Sequence, residues 1–195
     1  MEGHASDFSQ TLQKLNLLTN EPTQQKPKQT QQAGHSQLMQ ESISLRAQLG
    51  LIAPKRLMSD WQFLVALVAG CLVSIVLTTL FDGSGWQDAD LLSILSLILW
   101  APIIEELAFR GVVQGWLSGT SLGKRDVAGL SCANLFAALL FTAWHLVYRT
   151  DLMAWLVFVP ALVFGYFRDR HGSLVPCVIL HAAYNVSLLP GWYLL

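Results

Sequence analysis

The chain has 195 residues, 53% hydrophobic and only 13% charged, whereas a typical soluble domain carries about 25% charge. With a mean hydropathy of +0.44, this excludes an ordinary soluble domain and points to an integral membrane protein with a soluble tail. The formal net charge of −1 supplies no basic surface on which to expect nucleic acid.

The first 58 residues read as a polar, Gln-rich tail. Pro22, Pro27, Gly34 and the run from Gln24 to Gln32 cannot bury enough apolar surface to offset the entropy of ordering, so disorder is expected there. Met1 to Leu18 lacks the basic start and apolar core of a secretory signal. Residues 38–52 show helical periodicity through Leu38, Met39, Ile43, Leu45, Leu49 and Ile52, which suits an interfacial helix ahead of the first span or a partly ordered linker.

Residues 59–195 hold the membrane domain, an all-α, multi-pass bundle of about five spans. About 20 residues cross the hydrocarbon core, and Trp61–Phe81 fits as it stands, closed by the loop signal Asp82-Gly83-Ser84-Gly85. Further spans are expected at Leu91–Leu117, Cys132–Tyr148, Leu152–Phe167 and Leu174–Leu189. Lys55, Arg56, Lys124, Arg125, Arg168 and Arg170 fall on one side if the spans alternate. The other side carries Asp82, Asp88, Asp90 and Asp151, with Arg149 its basic residue. The positive-inside rule then places the N-terminus in the cytoplasm and the C-terminus outside. Cys71, Cys132 and Cys177 are dispersed in apolar runs without a CxxC pair, so they read as small apolar residues and not as a thiolate metal site.

Polar residues inside these runs need a reason. Glu105, Glu106 and Arg110 lie near the middle of the second span, where each charge costs about 2.5–3.5 kcal/mol on insertion scales. Glu106 and Arg110 are four apart with the acid first, the favourable order for a pair on one face, and Gln114 continues that stripe. Glu105 points about 100° away and need not share the arginine. Pro102 cannot donate to the carbonyl of Ile98 and should kink the helix just before the carboxylates. Gly111, Gly115 and Gly119 form a small-residue face that lets another helix approach. The third span carries His145 and the fifth His181 with Asn185 four residues on. His4, His35 and His171 lie in the tail or a loop and receive no role. A base, two imidazoles and an amide donor on three helices suffice to activate water and hold an oxyanion.

Glu105-Glu106-x-x-x-Arg110, Phe141-x-x-x-His145 and His181-x-x-x-Asn185 follow in that order on successive apolar segments. The flanks are Phe109-Arg110-Gly111 and Arg170-His171-Gly172-Ser173-Leu174. Over roughly residues 90–190 this resembles the CPBP (Abi) family, which includes the type II CAAX prenyl endopeptidases. The resemblance implies an intramembrane endopeptidase acting on a membrane-associated peptide or protein, without a cofactor. Carried over by position, Glu105 is the general base, His181 and Asn185 hold the oxyanion, His145 positions the water, and Glu106 with Arg110 shape the site. A bacterial inner membrane is the expected location. Two other readings use the same residues: zinc bound by Glu105, His145 and His181, or a membrane immunity or scaffold protein in which the polar cluster is structural.

Overall fold

The computed structural model describes residue 41, residues 44–80 and residues 89–193, with side chains to 189. Most of the Gln-rich tail and the loop from Asp82 to Gly85 lie outside this range. Residues 44–49 are helical (α1), and a short 3-10 turn at Leu57–Ser59 leads into Trp61–Leu80 (α2). A long helix spans Leu91–Leu117 (α3). Two short antiparallel strands, Asp126–Val127 (β1) and Leu130–Ser131 (β2), follow. Then come Cys132–Tyr148 (α4), Leu152–His171 (α5) and Val175–Tyr193 (α6). The protein is an all-α, multi-pass membrane protein. Among the described residues α2, α3 and α5 are long and apolar enough to cross a bilayer, and α4 and Val175–Leu189 are shorter apolar helices.

The arrangement is inverted relative to a water-soluble bundle. Val65, Val68 and Leu72 on α2 are more than half exposed, while Glu106, Arg110 and Gln114 are fully buried. An apolar exterior of this kind is matched by acyl chains, and the polar stripe of α3 makes hydrogen bonds to α5 and α6. The start of each element follows its local chemistry. Asp90, Ser131 and Asp151 cap α3, α4 and α5 by accepting from the backbone N–H three residues on. Ala128 and Gly129 both have positive φ (56° and 85°), the two-residue turn that closes a tight hairpin.

The helices differ from expectation at three places. The fourth span continues four residues past Phe167 to His171 and is interrupted at Val157. Pro160 lies just beyond and has no N–H to return to Leu156. Arg168, assigned above to a loop, is therefore helical and only 7% exposed. Its Nη2 donates to the carbonyl of Gln48 at 2.6 Å, satisfying the open C-terminal end of α1. The helix that the glycine face of α3 admits is this same α1. A Cβ on Gly115 would lie 2.2 Å from the Gln48 carbonyl, and one on Gly111 3.2 Å from that of Leu49, whereas at Gly119 the close atom among the described residues is the Trp116 carbonyl of its own helix. The chain then leaves α1 through Gly50 (φ 74°), whose carbonyl accepts from Leu174 N–H at 2.9 Å. The part of the expected interfacial helix that is described is thus docked on the bundle.

Candidate active site

Pro102 and the carboxylates sit in a distorted stretch of α3. Ser96–Trp100 and Leu107–Gln114 are wound as π-helix on either side of an α-helical Ala101–Glu106, a winding that collects at functional sites. Ala101 N–H is bonded to Ser96 and Pro102 has no N–H, so the Leu97 carbonyl has no main-chain donor. The Nδ2 of Asn185 fills that place at 2.9 Å. The carbonyl of Leu97 lies one residue before that of Ile98, to which Pro102 would donate in a straight helix if it had an N–H. It is taken by an amide of α6. One of the two Nδ2 hydrogens of Asn185 is thus engaged, and the other is uncommitted among the described residues.

The two glutamates have different surroundings. Glu106 is 0% exposed, and its Oε1 accepts from Arg110 Nη1 at 2.9 Å and pairs with His181 Nδ1 at 2.8 Å. A carboxylate only accepts, so the proton of that second bond resides on Nδ1. Arg110 is fully buried, donates to the Ala161 carbonyl at 3.0 Å and lies over Phe141 and Phe164, 4.4 and 5.3 Å from the ring centroids. The charge is therefore balanced by one carboxylate, one carbonyl and two aromatic faces. Glu105 is in contact with the other side of His181: Oε2 is 3.8 Å from Nε2, beyond hydrogen-bond range. That oxygen is buried without a hydrogen-bond partner, although 22% of the side chain is exposed. One carboxylate is fully buried and held through Oε1, with Oε2 unpartnered among the described residues, and the other is partly exposed and uncommitted.

His145 reaches the same region from α4. Its Nδ1 is 2.9 Å from the Phe141 carbonyl; a carbonyl only accepts, so Nδ1 carries the proton and Nε2 is turned outward from that bond. Phe141 is a shared wall, with its ring centroid 4.5 Å from that of His145 and 5.8 Å from that of His181. His181 also stacks on Phe164 at 5.2 Å. His145, His181 and Asn185 line one cavity of about 430 Å³, whose other walls come largely from α2 and α5. Its lining is predominantly apolar, from Gly70 and Val73 on one side to Leu156 and Val163 on the other. The six residues singled out in the sequence thus form one connected cluster on α3, α4 and α6.

Other members of the site carried no signal in the sequence. Phe141 and Phe164 look like ordinary apolar residues until Arg110 is seen between them. Tyr184 donates its hydroxyl to the Ala66 carbonyl at 2.7 Å and covers Gly70 so closely that a Cβ there would meet its ring at 2.0–2.3 Å. His171, left without a role above, is the last residue of α5 and lies 3.0 Å from Asp60. Among the described residues no group of three His, Cys, Asp or Glu side chains is gathered closely enough to hold a metal ion.

No curated protein and no solved structure matches the chain. The family model described as "Type II CAAX prenyl endopeptidase Rce1-like" matches residues 86–187, just over half of the chain and the whole span of the cluster from Glu105 to Asn185. The chain belongs to the Rce1-like family of type II CAAX prenyl endopeptidases.

Proposed function

We propose that this protein hydrolyses a peptide bond within the membrane by a glutamate-activated water, with Glu105 as the base. Family membership supports a CAAX-type intramembrane endopeptidase. The observation that carries the finer reading is the inequality of the two carboxylates: Glu106 is fully buried with Oε1 held by Arg110 and His181, while Glu105 is held by no hydrogen bond among the described residues and 22% of its side chain is exposed. A general base needs lone pairs that water can reach, and of the two carboxylates Glu105 is the one with an exposed edge.

In this reading Glu105 removes a proton from water as the oxygen attacks the carbonyl carbon of the substrate. Glu106 acts through His181 as the group that orients an imidazole. His181 Nε2 serves the oxyanion as a donor in the doubly protonated ring, and the remaining Nδ2 hydrogen of Asn185 is the second donor. His145 holds the water or the departing amine with Nε2. Collapse of the tetrahedral intermediate breaks the C–N bond, and the proton held by Glu105 passes to the leaving nitrogen. The apolar walls suit a hydrocarbon chain or an apolar peptide segment beside the cleaved bond.

The test compares the protein termini of host cells carrying wild type or Glu105→Gln at matched membrane levels. Loss of a defined set of processed ends in the variant is expected, and the set identifies the substrates. Identical termini under conditions where the protein is needed would sink the reading in favour of a binding or immunity role. In purified form, activity that disappears with a chelator and returns with zinc would replace the glutamate mechanism by the metal one.

A further inference from the structure

A second cavity lies at the opposite end of α2 from Leu80 and shares no lining residue with the first. It measures about 710 Å³ and is walled by the connector from Ile52 to Ser59, the start of α2 and the end of α5. Lys55, Arg56 and Arg170 line it, against one carboxylate, Asp60. That carboxylate is already engaged by Arg170 Nη2 at 3.3 Å and by His171 Nε2 at 3.0 Å. Lys55 and Arg56 are exposed and have no acceptor among the described residues, so two cations stand beside a carboxylate that Arg170 and His171 already hold.

The depth of this cavity also points to its ligand. Trp61 lines it, opens the first apolar helix and is 67% exposed. Tryptophan in that position sits at headgroup level. Basic pockets between membrane helices at that level take phosphate-bearing headgroups. Arg56 is held in the left-handed region (φ 51°, ψ 39°), a conformation a residue of its size rarely adopts, immediately before the buried Leu57 that anchors the connector.

We infer that this pocket binds the phosphate of an anionic phospholipid, with Lys55 and Arg56 as the principal contacts and Arg170 behind them. The bound headgroup fixes the connector between α1 and α2 to the membrane surface. The site is independent of the hydrolytic reading, and its test does not use activity.

The full chain, stripped of lipid in a neutral detergent, is titrated with phosphatidylglycerol, phosphatidylcholine or inorganic phosphate, and binding is followed by native mass spectrometry. Phosphatidylglycerol should bind in preference to the net-neutral lipid. Lys55→Gln/Arg56→Asn should weaken it about 30-fold, on the order of 1 kcal/mol for each basic side chain. Both positions are exposed and Asn tolerates left-handed backbone, so folding is preserved. Lys124→Gln/Arg125→Gln removes the same charge from an exposed loop at the same end of the bundle and should leave binding unchanged. Equal loss in both double variants, or equal binding of the two lipids, overturns the proposal. Inorganic phosphate competing as well as the lipid keeps the phosphate site but rejects a lipid as its source.

Discussion

Replacing Glu105 and replacing Glu106 should do different things to the same site. Glu105→Gln removes only uncommitted lone pairs, so the thermal unfolding midpoint should stay near wild type while peptide hydrolysis falls about 10²–10⁴-fold, the range for a lost acid–base group. Glu106→Gln leaves Arg110 buried without its carboxylate and replaces the charged acceptor of His181 Nδ1 by a neutral amide. Breaking a buried pair from one side costs about 3–5 kcal/mol, so this variant should unfold earlier as well as lose activity. Equal unfolding midpoints for the two variants would show that the carboxylates are interchangeable. Asn185→Ala should also lose both properties in part, because it opens the Leu97 carbonyl as well as the cavity wall.

At the scale of elements, the small-residue face of α3 is a seat for α1. Gly115→Ala would place a Cβ against the Gln48 main chain, and overpacking of this kind costs about 1–3 kcal/mol. Hydrogen exchange should then quicken in residues 44–52 and stay slow in α3 and α4. Asp60 joins the start of α2 to the end of α5 by accepting from Gln62 N–H, Arg170 and His171. The bond from Arg170, helped by that N–H and opposed by burial, holds its carboxyl below the usual carboxylate range. The native state thus keeps Asp60 ionised where the unfolded chain, titrating near about 3.9, takes up a proton. The stabilisation is complete above the unfolded value and is lost as pH falls through the lowered native one. Asp60→Asn should therefore flatten the acid limb of the stability profile, with little change in its shape above pH of about 5. An unaltered acid limb in the variant would remove Asp60 from this role.

For the whole molecule, the exposed leucines and valines of α2 to α5 and the charged ends together define how it sits in a bilayer. Lys55, Arg56, Lys124, Arg125 and Arg170 lie at one end, where Asp60 meets Arg170 and Ser131 meets Asp169. Asp90 and the Arg149–Asp151 pair lie at the other. We propose that the basic end faces the cytoplasm of a bacterial cell. A cysteine placed at exposed Ser59 should resist a membrane-impermeant thiol reagent in intact cells, and one at exposed Thr150 should react. The reverse pattern would invert the topology.

Much of this was legible in the sequence because hydropathy and helix spacing are local. Leu91–Leu117 and Cys132–Tyr148 have the bounds that their apolar runs predict, and Glu106–Arg110 pair across one turn as their spacing requires. The charges in mid-span, which no membrane helix keeps without cause, already marked where the buried polar cluster of α3 and α6 lies. Which polar group finds which partner is not local. His181 reaches Glu106 across 75 positions and Asn185 reaches Leu97 across 88. Only the packed helices decided that Glu106 is buried and held by His181 while Glu105 is left uncommitted, because that depends on how α6 meets a π-wound α3. The glycine face shows the same division. Its spacing announced a close approach, but a small residue only opens space, and the tertiary fold filled it with the chain that precedes the first span.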